Sequence, residues 1–152
     1  MDNLMLKQLK SDIALAERAV LIFLKSVIKA KHLLEEAKTR TLSDDDRETF
    51  EALTSRYGRA LDFLTQKLLR TIDRIELTDD GSVLDRINRF KKRHVLRDEV
   101  NYASLKDLRN QIVHEYIIEE SDRVVAEVLK FAVLIEDMLL QAKKYCRQKN
   151  FI

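Results

Sequence analysis

The stretch whose residue types are best suited to chemistry runs from 109 to 116, in the order Arg-Asn-Gln-Ile-Val-His-Glu-Tyr. The imidazole of His114 can exchange protons near neutral pH, because the ordinary pKa of histidine is about 6.5. The guanidinium of Arg109 stays charged and can grip a phosphate with two hydrogen bonds. Asn110 precedes His114 by four residues, on the same face of a helix, where it could orient the imidazole or contact RNA. These groups suit cleavage of RNA without a metal ion.

The Arg-x4-His spacing is by itself a weak signal, and a second match runs from Arg89 to His94. Context separates the two. Arg109 is followed by Asn110 and two apolar residues, and Tyr116 stands two positions after the histidine. The second match encloses Phe-Lys-Lys-Arg and has no tyrosine after it. A purely structural role stays open, with Arg109 bonded to a carboxylate and the histidine capping a helix end.

Helix geometry limits how the two main residues can meet. Residues five apart point about 140° away from each other on a regular helix. Arg109 and His114 therefore need either a helix that distorts or ends near His114, or a second copy of the chain to complete the site. A two-fold dimer would bring both copies of the segment together.

Long helices are the elements predicted to position these residues. The chain contains no proline and two glycines, whereas sheets joined by tight turns need many of both. Apolar residues recur in steps of three and four over 3–39, over 44–77 and again after Ser121. Shorter apolar stripes lie between residue 77 and Ser121. The sequence predicts an all-α, up-and-down bundle of three long and two short helices, forming one domain over residues 1–152.

Serines suited to the N-cap position mark four predicted helix starts, at Ser43, Ser82, Ser104 and Ser121. Asp107 follows Ser104 by three residues, as in a variant of the capping box. Residues 94–103 are predicted to form a loop. Gly58 lies inside the second long helix, where glycine is unfavourable, and this predicts close helix packing at that point.

Basic residues concentrate between positions 86 and 97, although the net charge of the whole chain is only +2. Four of them are candidate contacts for RNA phosphates: Arg86, Arg89, Lys92 and Arg93. A solvated helix face is the alternative, because neighbouring aspartate and glutamate residues dilute the charge.

Other classes of protein lack support in the sequence. A single cysteine excludes an internal disulfide and fits a reducing cytosol, so a cytoplasmic location is predicted. Metal-binding and phosphate-loop motifs are missing, so we expect no metal and no cofactor. No signal peptide is predicted, and no uncharged run approaches the roughly 20 residues of a membrane span.

The segment 109–116 resembles the HEPN superfamily, helical bundles that carry an Arg-x4–6-His motif, often with Asn after the arginine. The longer form, Arg-x4-His-x-Tyr, is similar to that of HepT toxins, which pair with MntA nucleotidyltransferase antitoxins. The resemblance implies a homodimeric, metal-independent endoribonuclease. Arg109 would stabilise the phosphate, and His114 would be general base or acid for attack by the RNA 2′-hydroxyl. It also implies that the antitoxin transfers AMP to Tyr116, blocking RNA by bulk and charge.

Two other interpretations stay open. HEPN relatives also serve as the non-catalytic, substrate-binding companion of a nucleotidyltransferase, although such a scaffold would have no need of Arg109, Asn110 and His114 together. The chain could instead be a structural helical protein with a chance motif. Substitution of Arg109 or His114 would separate these interpretations.

Overall fold

A computed structural model describes residues 3–114 and 121–152, apart from the side chains of His114 and Ser121. Its elements are α1 (Asn3–Glu36), α2 (Asp44–Asp62), a π-helical segment (Phe63–Leu68), α3 (Leu69–Ile75), α4 (Val83–Lys92), α5 (Tyr102–His114) and α6 (Ser121–Gln148). The chain runs from α2 through the π-helical segment into α3 without a break, and we call these three elements the central rod. The predicted all-α bundle of three long and two short helices is confirmed over the described residues, which contain no strand.

The core forms where α1, the central rod and α6 pack against one another. The predicted stripe of α1 is buried over most of its length, at Leu9, Ile13, Ala16, Val20, Phe23, Val27 and Ala30. The short helix α5 packs against α2 and α6. A hydrogen bond from the buried Tyr57 hydroxyl to the Leu105 carbonyl oxygen, 2.8 Å long, ties α5 to α2. This bond fixes the height of α5 along the rod.

The predicted N-caps at Ser43 and Ser82 are confirmed, each as a full capping box, whereas the capping box predicted at Ser104 is wrong. Ser43 and Ser82 each exchange hydrogen bonds with the aspartate three residues on. Ser104 does not begin its helix, because α5 starts at Tyr102 and the Ser104 N–H donates to the Asn101 side chain over 3.2 Å. Asparagine is among the strongest N-cap residues. Starting there also places Tyr102 in the first turn, where it is buried.

The predicted cap at Ser121 involves a side chain outside the described ones. In the described part of the chain, no helix has both the length and the apolar character that crossing a membrane requires.

Candidate functional site

A groove of about 880 Å³ lies between α2, the π-helical segment and α5. Arg109 and Asn110 line it from α5, and Asp62 and Phe63 line it from the rod. Ligand sites in proteins commonly occupy about 300–1,000 Å³. The structure thus brings the first two residues of the Arg-Asn-x3-His motif to a concavity large enough for a ligand.

The guanidinium of Arg109 is anchored across this groove by Asp62. Its Nη2 donates to Oδ2 of Asp62 over 2.9 Å, and the two side chains are 37% and 42% exposed. The hydrogen bond that Arg109 donates to Asp62, followed by the attraction of the Asp62 charge, raises the pKa of Arg109. A guanidinium has five N–H donors. Because Asp62 is its hydrogen-bond partner within the described part of the chain, Arg109 keeps donors for a ligand anion.

Gly58 lies on α2 beside the aliphatic part of Arg109. A Cβ added to Gly58 would lie 3.5 Å from Cγ of Arg109, an ordinary van der Waals distance. The close helix packing predicted at this glycine is therefore present, but the glycine is not required by it.

The π-helical segment builds the wall of the groove opposite Arg109. Its wide turn is closed by the Leu69 N–H, which donates to the Leu64 carbonyl oxygen five residues back. Single π turns inside α-helices recur at functional sites. Here the turn carries Phe63, whose partly buried ring lines the groove, and Lys67, whose Nζ lies 5.4 Å from the ring centroid.

The charge of the groove is mainly positive. Its lining contains four cations and two carboxylates: Arg59, Lys67, Lys106, Arg109, Glu51 and Asp62. Tyr102 also lines the groove, and burial raises the pKa of its phenol. With Asp62 paired to Arg109, three cations face one carboxylate. This balance favours an anionic ligand.

The remaining predicted groups of the motif are His114 and Tyr116. His114 is the last residue of α5, and its side chain lies outside the described ones; Tyr116 lies outside the described residues altogether. The chain is α-helical without interruption from Arg109 to His114, so their backbone positions are about 140° apart around the helix axis. Of the two possibilities within one chain, a distortion of the helix between Arg109 and His114 is absent, whereas α5 does end at His114.

Three of the four predicted RNA-binding residues belong to a cluster that we call the Asp73 network. The Asp73 carboxylate is 0% exposed and pairs with Arg86, Arg89 and Arg93 at 3.5, 2.7 and 3.1 Å. Arg86 is itself 5% exposed and also reaches Asp79, at 3.0 Å.

Neither of the predicted roles, an open phosphate site or a solvated face, describes Arg86. Its guanidinium is enclosed by carboxylates, and the placement gives no support to an RNA contact there. Arg89 and Arg93 are held in the same way by Asp73. The fourth candidate, Lys92, is exposed on α4.

Sequence inspection missed Asp62, Phe63, Lys67 and Tyr102 as members of the candidate site. Asp62 precedes Arg109 by 47 positions, and no local pattern links them. The four-residue spacing of Phe63 and Lys67 was a usable signal, because a cation and an aromatic ring so placed lie on one helix face.

Among the described residues, no group of three or more His, Cys, Asp or Glu side chains is arranged to hold a metal ion. Comparisons with models of protein families, with curated proteins and with solved structures find no match to this chain.

Proposed function

We propose that this chain is a HEPN-type endoribonuclease that cleaves RNA without a metal ion. The observation that carries the proposal is the position of Arg109, which lies at an 880 Å³ cationic groove with guanidinium donors left for a phosphate. Asn110, its neighbour in the motif, lines the same groove. An arginine held by one carboxylate at the edge of a cleft is well placed to bind an anion whose charge grows during a reaction.

In the proposed reaction, His114 takes the proton of an RNA 2′-hydroxyl as general base. The 2′-oxygen attacks the adjacent phosphorus, and the bond from phosphorus to the 5′-oxygen breaks. The leaving 5′-oxygen takes up a proton, so the products carry a 2′,3′-cyclic phosphate and a 5′-hydroxyl. Arg109 stabilises the phosphate oxygens as negative charge accumulates.

The proposed active form is a homodimer. Because α5 holds Arg109 and His114 about 140° apart around its axis, a second copy of the chain is the simplest way to place an imidazole next to the Arg109 guanidinium. The exposed Val113 on α5, 61% accessible, lines the same groove and adds apolar area at the face where two copies would meet.

The proposed regulator is a minimal nucleotidyltransferase that acts as an antitoxin and transfers AMP to Tyr116. Tyr116 follows His114 by two residues, so an adenylyl group there would add bulk and negative charge next to the motif. The added charge would repel RNA from the cationic groove.

The experiment that tests the proposal is cleavage of RNA by the purified protein in EDTA, beside His114→Ala. We expect cleavage by the wild type and a loss of about 10²- to 10⁴-fold in the variant, the usual contribution of a positioned proton carrier. His32→Ala is the matched control, since His32 is an exposed histidine on α1. It should cleave like the wild type.

Absence of cleavage by a folded protein whose Tyr116 is unmodified by mass spectrometry would contradict the proposal. It would favour the non-catalytic subunit that binds a nucleotidyltransferase. Cleavage that survives His114→Ala would place the active groups elsewhere.

A further inference from the structure

The groove contains an aromatic surface that the proposed reaction does not use. Phe63 directly follows Asp62 in the chain, and both residues line the groove that Arg109 also lines. One side of the ring packs against the core, while the ring also lines the groove. An aromatic ring that stays partly open beside a phosphate-binding arginine is suited to a flat, uncharged group joined to that phosphate.

The cation above the ring shows that its face is accessible. Nζ of Lys67 lies 5.4 Å from the Phe63 centroid, and Lys67 is exposed. The ammonium is held there by the weak attraction of a ring face at the surface. A nucleobase can replace it, because bases stack on aromatic side chains and every base has a π face. The flexible lysine is then free to turn to a phosphate.

Polar groups that can bond to the edge of a base line the same groove as the ring. The exposed Ser55 hydroxyl and Gln66 amide, together with the Asn110 amide, line the same groove. Amide and hydroxyl groups both donate and accept hydrogen bonds, so they suit the mixed edges of bases. An apolar partner segment would leave these groups and the cations unpaired.

We propose that Phe63 is the platform of a subsite that binds one unstacked nucleobase of the RNA whose phosphate Arg109 holds. Lys67 contacts the backbone of the same strand once the base has displaced it from the ring. This subsite rests on the proposed function, since it gives the cleaved phosphate a neighbouring base. It predicts that the chain requires a base free to leave its stack, as in single-stranded RNA.

The test measures binding rather than cleavage, in EDTA and in the His114→Ala background. Fluorescence anisotropy compares a labelled oligoadenylate with an abasic ribo-oligomer of equal length and phosphate count. We expect the oligoadenylate to bind about tenfold more tightly, a preference of the size that base stacking provides. Phe63→Leu, which retains apolar volume but has no π face, should abolish the preference. Phe63→Tyr should keep it.

A matched pair of lysine variants separates the base from the backbone. Lys67→Ala should weaken binding of both oligomers by a similar factor, whereas Lys144→Ala, an exposed lysine on α6, should change neither. Should Phe63→Leu fail to fold, an oligomer with one 2-aminopurine provides a second readout. Its fluorescence should fall on binding to the protein that keeps Phe63, because stacking quenches it.

The outcomes separate the subsite from the nuclease. A base preference that depends on Phe63 supports the subsite even if the wild type never cleaves RNA. Cleavage with equal affinity for both oligomers overturns the subsite and leaves the nuclease standing. Equal affinity for single-stranded and duplex RNA, or no quenching of 2-aminopurine, also overturns it.

Discussion

Two arginine–carboxylate sites in this molecule use the same chemistry in opposite ways. In the Asp73 network, one carboxylate that is 0% exposed receives three arginines. At the groove, Asp62 holds the single guanidinium of Arg109, and both side chains are more than a third exposed. The first arrangement encloses Arg86 and leaves Arg89 and Arg93 only 21% and 23% exposed, whereas the second leaves a cation oriented and accessible. Local density of arginines is therefore a poor guide to where this chain presents an accessible cation.

Removal of the shared carboxylate should produce the largest effect. Asp73→Ala removes the buried carboxylate that Arg86, Arg89 and Arg93 share, and they keep Asp79, Asp80 and Glu76 as their other partners. Removal of one partner of a buried ion pair costs about 3–5 kcal/mol, and the remaining pairs place the expected loss near the lower end of that range. We expect a loss of that size in the free energy of unfolding, measured with urea. Asp80→Ala is the control, because Asp80 also pairs with Arg89 but is 89% exposed. A change below about 1 kcal/mol in Asp73→Ala would show that the network does not act as a structural unit.

At the groove, truncation of Arg109 should reduce activity and leave the free energy of unfolding nearly unchanged. Arg109→Ala should reduce RNA cleavage by about 10²- to 10³-fold, the usual loss when one donor to a developing charge is removed. Because ion pairs this exposed contribute about 0–1 kcal/mol, the free energy of unfolding should stay within that margin. A stability loss as large as that of Asp73→Ala would make Arg109 a structural residue.

Acid should weaken the ion pairs of Asp79, which shares Arg86 with the Asp73 network. Burial disfavours the charged form of Asp79, but hydrogen bonds from Arg74, Arg86 and Arg70 outweigh it and lower the pKa to about 2. The stabilisation is complete above the ordinary pKa of 3.8 and is lost as the pH falls towards 2. Urea unfolding between pH 6 and 2 should show this decline, and Asp79→Asn should flatten it. An unchanged pH profile in Asp79→Asn would contradict the assignment.

The smallest effect should come from Gly58. Gly58→Ala fits beside Arg109 at 3.5 Å, so the ordinary preference of helices for alanine should raise stability by about 0.5–1 kcal/mol. Thermal unfolding measures the gain, and cleavage should be unchanged. A destabilised variant would mean that α5 and α2 approach more closely at this point than the structure shows.

Features set by neighbouring residues could be predicted from the sequence. The serines at 43 and 82, each with an aspartate three residues on, fix their own helix starts through local hydrogen bonds. The prediction at Ser104 was wrong because Asn101 competes with Ser104 as the N-cap. A helix that starts at Tyr102 also buries that side chain, which is a tertiary effect. The partners of Arg109 and of the arginines around Asp73 lie many residues away, and their pairing depends on packing that no local pattern encodes.

The sequence contains a spacing pattern that indicates the π-helical segment. The buried positions Ala60, Leu64, Leu68 and Ile72 follow one another in three steps of four residues. On an α-helix each such step drifts about 40° around the axis, so the stripe would leave the core. A wider turn cancels that drift. Three successive four-residue steps between buried positions thus indicate a π turn between residues 60 and 72.

This wide turn also changes how the chain tolerates differences in length. One residue added to a plain α-helix rotates everything after it by about 100°, which would carry Asp73 away from its arginines. Because the turn between Phe63 and Leu68 takes up one residue, α2 and α3 stay in phase around it. Loss of a single residue here would leave both flanking helices in register and remove only the bulge that carries Phe63 and Lys67. An insertion or deletion of one residue is therefore a route by which a chain of this fold could gain or lose the wall of its groove without disturbing its core.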